Sequence, residues 1–97
     1  MGLTSKQVKQ LKKEAHHLDP IFQIGKNGIS DNFITQVDDA LNKRELIKVS
    51  VLQNCPIDKD TLAEKIESDT NSHIVTVIGN TIIVYRESKE NKRIELV

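Results

Sequence analysis

Two β-branched runs, His73 to Ile78 and Thr81 to Arg86, are separated by Gly79-Asn80 alone. Two residues reverse a strand only as a tight turn, and both Gly and Asn tolerate positive φ, so the runs are expected to pair as an antiparallel hairpin. A hairpin by itself is marginal in water and needs further strands or helices against one face. The rest of the chain has to supply that cover.

It does so with alternating elements. Thr4 and Gln7 make a capping-box pair, and Val8, Leu11, Ala15 and Leu18 fall on one stripe, which predicts a helix from about Ser5 to Leu18. Pro20 blocks its continuation. Ile21-Phe22-Gln23-Ile24 reads as a short strand and Gly25-Lys26-Asn27-Gly28 as a loop. Ser30 or Asp31 then caps a second helix with Phe33, Ile34, Val37 and Leu41 at helical spacing. From Leu46 to Leu52 the pattern alternates, with Ile47, Val49 and Val51 on one face and Lys48 and Ser50 on the other, as in a half-buried strand. Asp58 caps a third helix that turns Leu62, Ala63 and Ile66 inward.

The order α-β-α-β-α-β-β predicts an α/β fold with a four-stranded mixed sheet and three helices. At 97 residues the chain is expected to form one compact domain, 1–97. The stretch 87–97 is polar and expected to be loosely held, apart from Ile94, Leu96 and Val97.

Composition excludes several functions. Only Phe22, Phe33 and Tyr85 are aromatic, too few for a platform that stacks several bases. No apolar run approaches the roughly 20 residues of a membrane helix, and the start Met1-Gly2-Leu3-Thr4-Ser5-Lys6 lacks an apolar signal-peptide core. The single cysteine, Cys55, cannot form an internal disulfide, which fits a cytoplasmic setting. Net charge is zero, but unevenly spread. Residues 1–30 carry five Lys and two acids, residues 31–70 five basic and nine acidic side chains. Local fields can therefore act where the total does not.

The loop carries the chemistry. Gly25 and Gly28 bracket Lys26 and Asn27 between a strand and a helix. Glycine permits positive φ and lets a ligand approach without a Cβ in the way. Free N–H groups at the helix start favour an anion, and Lys26 adds a mobile charge. A GxxG loop clamps a nucleic-acid backbone this way in KH-type domains. Two glycines at this spacing also make a plain turn, and Asp31 competes with a phosphate for the helix dipole.

Longer stretches say more. Ala15-His16-His17-Leu18-Asp19-Pro20, Gln23 to Ile29, Ala40-Leu41 with Glu45 to Val49, and Val77-Ile78-Gly79 with Val84-Tyr85-Arg86 resemble the CRM domain (chloroplast RNA splicing and ribosome maturation), in its free-standing bacterial YhbY-like form. The resemblance implies a fold similar to the C-terminal domain of translation initiation factor three. It also implies association with ribosomal RNA in precursors of the large subunit, with the GxxG loop at the contact. The chain departs from the family pattern at Asn80, where a basic residue is common, and at Thr70-Asn71-Ser72, which replaces Thr-Gly-Ala. Lys43-Arg44 also precede Glu45 where a His is frequent.

No other motif reaches an active or metal site. His16 and His17 point about 100° apart on a helix and cannot readily share a metal. Cys55 has no nucleophile signature around it, and Asp38-Asp39 diverge as the histidines do. Asp58, Asp60 and Glu64 read as capping and first-turn acids.

The expectation is a cytoplasmic, non-enzymatic RNA-binding protein, a ribosome assembly factor without metal, cofactor, membrane contact or small-molecule substrate, and a monomer. Gly25, Lys26, Asn27 and Gly28 form the clamp, flanked by Lys6, Lys9, Lys13 and Lys48. The alternative is a protein–protein module on the ribosome or its precursors, using the acidic second and third helices, with RNA contact incidental.

Overall fold

The computed structural model describes residues 2–97; Met1 lies outside them. The elements are α1 (Ser5–Ala15), β1 (Phe22–Ile24), α2 (Asp31–Arg44), β2 (Leu46–Val51), α3 (Lys59–Thr70), β3 (His73–Ile78) and β4 (Thr81–Tyr85). β3 and β4 form the expected hairpin, with Ile78 opposite Thr81. Gly79 takes φ 58 while Asn80 keeps a negative φ, the pattern of a two-residue turn with glycine first.

The sheet order is β1-β2-β4-β3. β1 and β2 are parallel, with Ile24 opposite Val51, and β4 runs antiparallel to both its neighbours. The crossover through α3 therefore skips one position, and β4 inserts between β2 and β3. The result is the four-stranded mixed sheet with three helices that the order of elements predicts.

Two apolar layers flank the sheet. On one side Ile47, Val49, Val51, Ile82 and Val84 pack against Val37 and Leu41 of α2 and Leu62 and Ile66 of α3. On the other, Leu46, Val75, Ile83 and Tyr85 pack against Leu11 and Ala15 of α1. The period-two alternation of β2 and β4 thus serves two cores at once.

α1 starts on its capping box, with the Thr4 hydroxyl accepting from the Gln7 N–H and the Gln7 side chain accepting from the Thr4 N–H. It ends three residues earlier than its stripe suggests. The His16 N–H bonds to the Lys13 carbonyl and the Leu18 N–H to that of Ala15, the tight bonds that close a last turn, and Leu18 is left exposed. α3 ends at Asn71 in the left-handed region, φ 52 and ψ 48. That is the position at which the resemblance has glycine, and asparagine is the side chain that tolerates it next best.

The stretch 87–97 has no regular secondary structure but is not loose, which corrects the expectation for it. Glu45, fully buried and at φ 65, ends α2 and directs its carboxylate into the tail. There it accepts the backbone N–H groups of Ser88 (2.7 Å), Arg93 and Ile94 (2.9 Å). Burial alone would raise the Glu45 pKa; these donors and the nearby Lys92 charge outweigh it, and the carboxyl sits below its ordinary value. Ser88 and Ile94 are buried as a result. Arg86 performs a similar task between helices, donating to Asp38 and Asn42 of α2 and to the Thr70 carbonyl of α3.

Candidate nucleic-acid interface

Because β1 and β2 are parallel, the segments that follow them leave the same end of the sheet. The Gly79-Asn80 turn joins them there, since the Val51 N–H donates to the Asn80 carbonyl at 2.7 Å. Lys59 Nζ reaches the Gly79 carbonyl and holds the turn towards α3. Three connections are gathered on one rim, and the glycine loop is among them.

The loop is a tight turn. The Gly28 N–H donates to the Gly25 carbonyl at 3.0 Å, which places Lys26 and Asn27 at the exposed tip. Its two glycines differ in kind. Gly28 has φ 67, so the backbone favours glycine, and a Cβ there would also crowd Ile57 Cδ1 at 3.1 Å. Gly25 has an ordinary φ, and a Cβ would meet Leu52 and Asn54 only at 3.6 Å. The fold does not need glycine at position 25.

The turn rests against the β2–α3 connection, where the Leu52 N–H donates to the Ile24 carbonyl at 2.9 Å. Beyond it Ser30 caps α2: its hydroxyl accepts from the Phe33 N–H and its carbonyl from the Ile34 N–H. With the Phe33 N–H taken by the cap, the N–H groups of the helix start that remain for a ligand are those of Ser30, Asp31 and Asn32. The Asp31 carboxylate stands at the same place and opposes an anion.

The predicted flanking lysines separate into two groups. Lys6, Lys9 and Lys13 lie exposed on the side of α1 turned away from its buried stripe. Lys48 sits on the α1 side of β2, and the structure brings it together with Lys12 and His16 in one hollow. Sequence reasoning passed over Lys12. Its signal was its place on the helical wheel, between the apolar stripe and the outward face, where a long side chain borders the sheet. Lys48 precedes Val51 by three residues, about 10 Å of strand, and Val51 pairs with Ile24 at the foot of the loop.

The charge imbalance has a spatial meaning. α1, with Lys6, Lys9, Lys12 and Lys13 against Glu14 alone, covers one side of the sheet. α2 and α3, which carry Asp31, Asp38, Asp39, Asp60, Glu64, Glu67 and Asp69 against Lys43, Arg44, Lys59 and Lys65, cover the other. A neutral chain is thereby divided into a basic and an acidic side. The aromatic rings are few and form no open platform: Phe22 and Phe33 are half-buried and meet edge to face at 5.6 Å, and Tyr85 is buried.

The remaining candidates are accounted for structurally. His16 and His17 line different hollows. Cys55 directs its thiol to the Ile57 carbonyl at 3.6 Å. Among the described residues no group of three His, Cys, Asp or Glu is placed to hold a metal, and no helix is long and apolar enough to cross a membrane.

Comparison with known proteins gives consistent matches over nearly the whole chain. The family model for the CRS1 / YhbY (CRM) domain matches residues 3–86. The "Probable RNA-binding protein YqeI" of Bacillus subtilis is 58% identical over 94 residues, covering 97% of this chain and 98% of the relative. An "RNA-binding protein" of Haemophilus influenzae is 37% identical over 90 residues, covering 93% and 91%. The solution structure of the Staphylococcus aureus protein SAV1595 superposes with a TM-score of 0.82 at 59% identity, covering 98% of this chain and 99% of the other.

Proposed function

Starting from a chain that belongs to the CRS1 / YhbY (CRM) domain family, we propose that it is a non-enzymatic RNA-binding protein that grips the RNA backbone through Gly25-Lys26-Asn27-Gly28. The observation that carries this reading is the geometry of the turn. Lys26 and Asn27 stand exposed at its tip, Gly25 has no structural need to be glycine, and the start of α2 lies directly behind. A strand's phosphates meet a positive charge and backbone N–H groups there, without a platform of several aromatic rings to stack bases. Relatives named as RNA-binding proteins support the same reading.

The RNA is ribosomal, in precursors of the large subunit, and the protein acts as an assembly factor in the cytoplasm as a monomer. Lys48 and the lysines of α1, Lys6, Lys9 and Lys13 among them, supply flanking charge. The acidic α2–α3 side favours a second reading, in which a basic ribosomal protein docks there and RNA contact is incidental.

The test compares wild type with the double variant Lys26→Asp, Asn27→Asp in binding to ribosomal RNA fragments across a salt series, with circular dichroism to establish folding. Wild type should bind with a clear salt slope and the folded variant should not. Equal binding by both, or by neither, would remove the clamp. Charge reversal on α2 and α3 that abolishes association with the particle while free-RNA binding survives would select the protein-docking reading.

A further inference from the structure

α1 and the tail cover only part of their side of the sheet. They lie over Leu46, Val75, Ile83 and Tyr85, while towards the Gly79-Asn80 turn Ile78 remains 56% exposed and Thr81 half-buried. Between the helix and this open strip is a hollow lined by Lys12, His16, Lys48, Ile78, Thr81 and Ile83. Lysines from two different elements line it and no carboxylate residue does. The ion pairs among the described residues are Lys65–Asp69, Arg86–Asp38 and Lys92–Glu87, so neither Lys12 nor Lys48 is neutralised. Two like charges bordering one hollow repel each other, and an anion between them lowers that cost.

We propose that this hollow is a second seat for backbone phosphate, and that one RNA strand runs from the glycine loop across the open strip of the sheet to α1. The inference rests on the RNA-binding reading and adds a path to it. The occupant follows from charge: the hollow presents two cations, an imidazole and a threonine hydroxyl, which suit phosphate and ribose oxygens. Continuity favours the same strand, because Lys48 lies about 10 Å along β2 from the residue paired beside the loop. Exposed Ile78 gives the strip an apolar patch for sugar or base edges without an aromatic ring, so sequence preference along this path is weak.

The test is fluorescence-anisotropy titration of a single-stranded RNA about 12 nucleotides long, a length within the span of single-strand binding sites, over a salt series. Lys12→Gln with Lys48→Gln should weaken binding and lower the log–log salt slope by about 1.4, at about 0.7 for each phosphate no longer neutralised. Lys12→Arg with Lys48→Arg should restore it. Lys12→Gln alone, at an exposed helical position that does not threaten folding, should lower the slope by about 0.7. Lys65→Gln with Lys89→Gln removes the same charge elsewhere and should leave the slope unchanged.

If the Lys12, Lys48 variant keeps the wild-type slope while the Lys26, Asn27 variant loses binding, the hollow is no phosphate seat and the loop reading stands. An equal loss in the Lys65, Lys89 control means a general charge effect and overturns the path. Binding of poly-glutamate that depends on Lys12 and Lys48, with RNA binding indifferent to them, makes the hollow a seat for an acidic protein segment instead. Wild type that binds no RNA overturns the RNA-binding reading and the path with it.

Discussion

Gly28 holds φ 67 with Ile57 Cδ1 placed 3.1 Å from where a Cβ would stand, whereas Gly25 has neither constraint. The two positions should therefore separate stability from binding. Gly28→Ala places an L-residue in the left-handed region and is expected to cost about 1–2 kcal/mol in urea unfolding. Gly25→Ala should unfold with wild-type stability. Its added methyl group would meet Leu52 and Asn54 only at 3.6 Å, and on the clamp reading it crowds an approaching backbone, so RNA affinity should fall while the fold is untouched. Wild-type affinity in folded Gly25→Ala would show that no backbone approaches there. Sequence spacing treats these glycines as equivalent, because it reports composition and not φ. The same holds for Glu45, whose φ of 65 and complete burial no local pattern announces.

Helices and strands show where local signals suffice. The capping box of α1, the Ser30 and Asp58 caps and the alternation of β2 are written in neighbouring residues, and each element forms where they place it. Element ends and positions in the sheet were less legible. α1 stops at Ala15 although its stripe continues to Leu18, and β4 settles between β2 and β3 because its alternate residues meet both cores. The tail depends on one distant side chain, the Glu45 carboxylate, and so read as loose from its own polarity.

That latch has a pH signature. Because the folded-state pKa of Glu45 lies below its ordinary value, its contribution to stability is present above the unfolded value and is lost as pH falls through the folded one. Asp58, held low chiefly by the Thr61 hydroxyl and also by the Thr61 and Asp60 N–H groups, acts with the same sign. The difference between wild type and Glu45→Gln isolates the latch. At neutral pH the variant should be less stable by about 1–3 kcal/mol, since an amide cannot accept all three N–H groups. The gap should narrow as pH falls through the acid range, as followed by urea midpoints. A gap that stays constant with pH would mean the carboxylate charge plays no part.

Over the whole molecule, the decisive property is the division of charge across the sheet. A net charge of zero argues against nucleic acid only while charge is treated as a sum. The fold places α1 on one side and the acidic α2 and α3 on the other, with the glycine loop on the rim between them. The charge runs themselves were visible in the sequence. Their assignment to opposite sides was not, because it depends on the sheet order, in which the β1–β2 and β2–β3 crossovers run in the same direction and leave α2 and α3 on one side. Lys12 was missed for a related reason: a residue at the border of an apolar stripe gains a role only once the sheet beside it is in place.

The most direct test needs no substitution. In a titration of 15N-labelled protein with single-stranded ribosomal RNA fragments, followed by amide chemical shifts, the largest changes should fall on Lys26, Asn27, Gly28 and the start of α2 at Asp31 and Asn32. The outward residues of α3, such as Glu64 and Glu67, should hardly move. Shifts concentrated on α2 and α3 beyond their first turns, with the Gly25–Gly28 loop unmoved, would contradict the clamp.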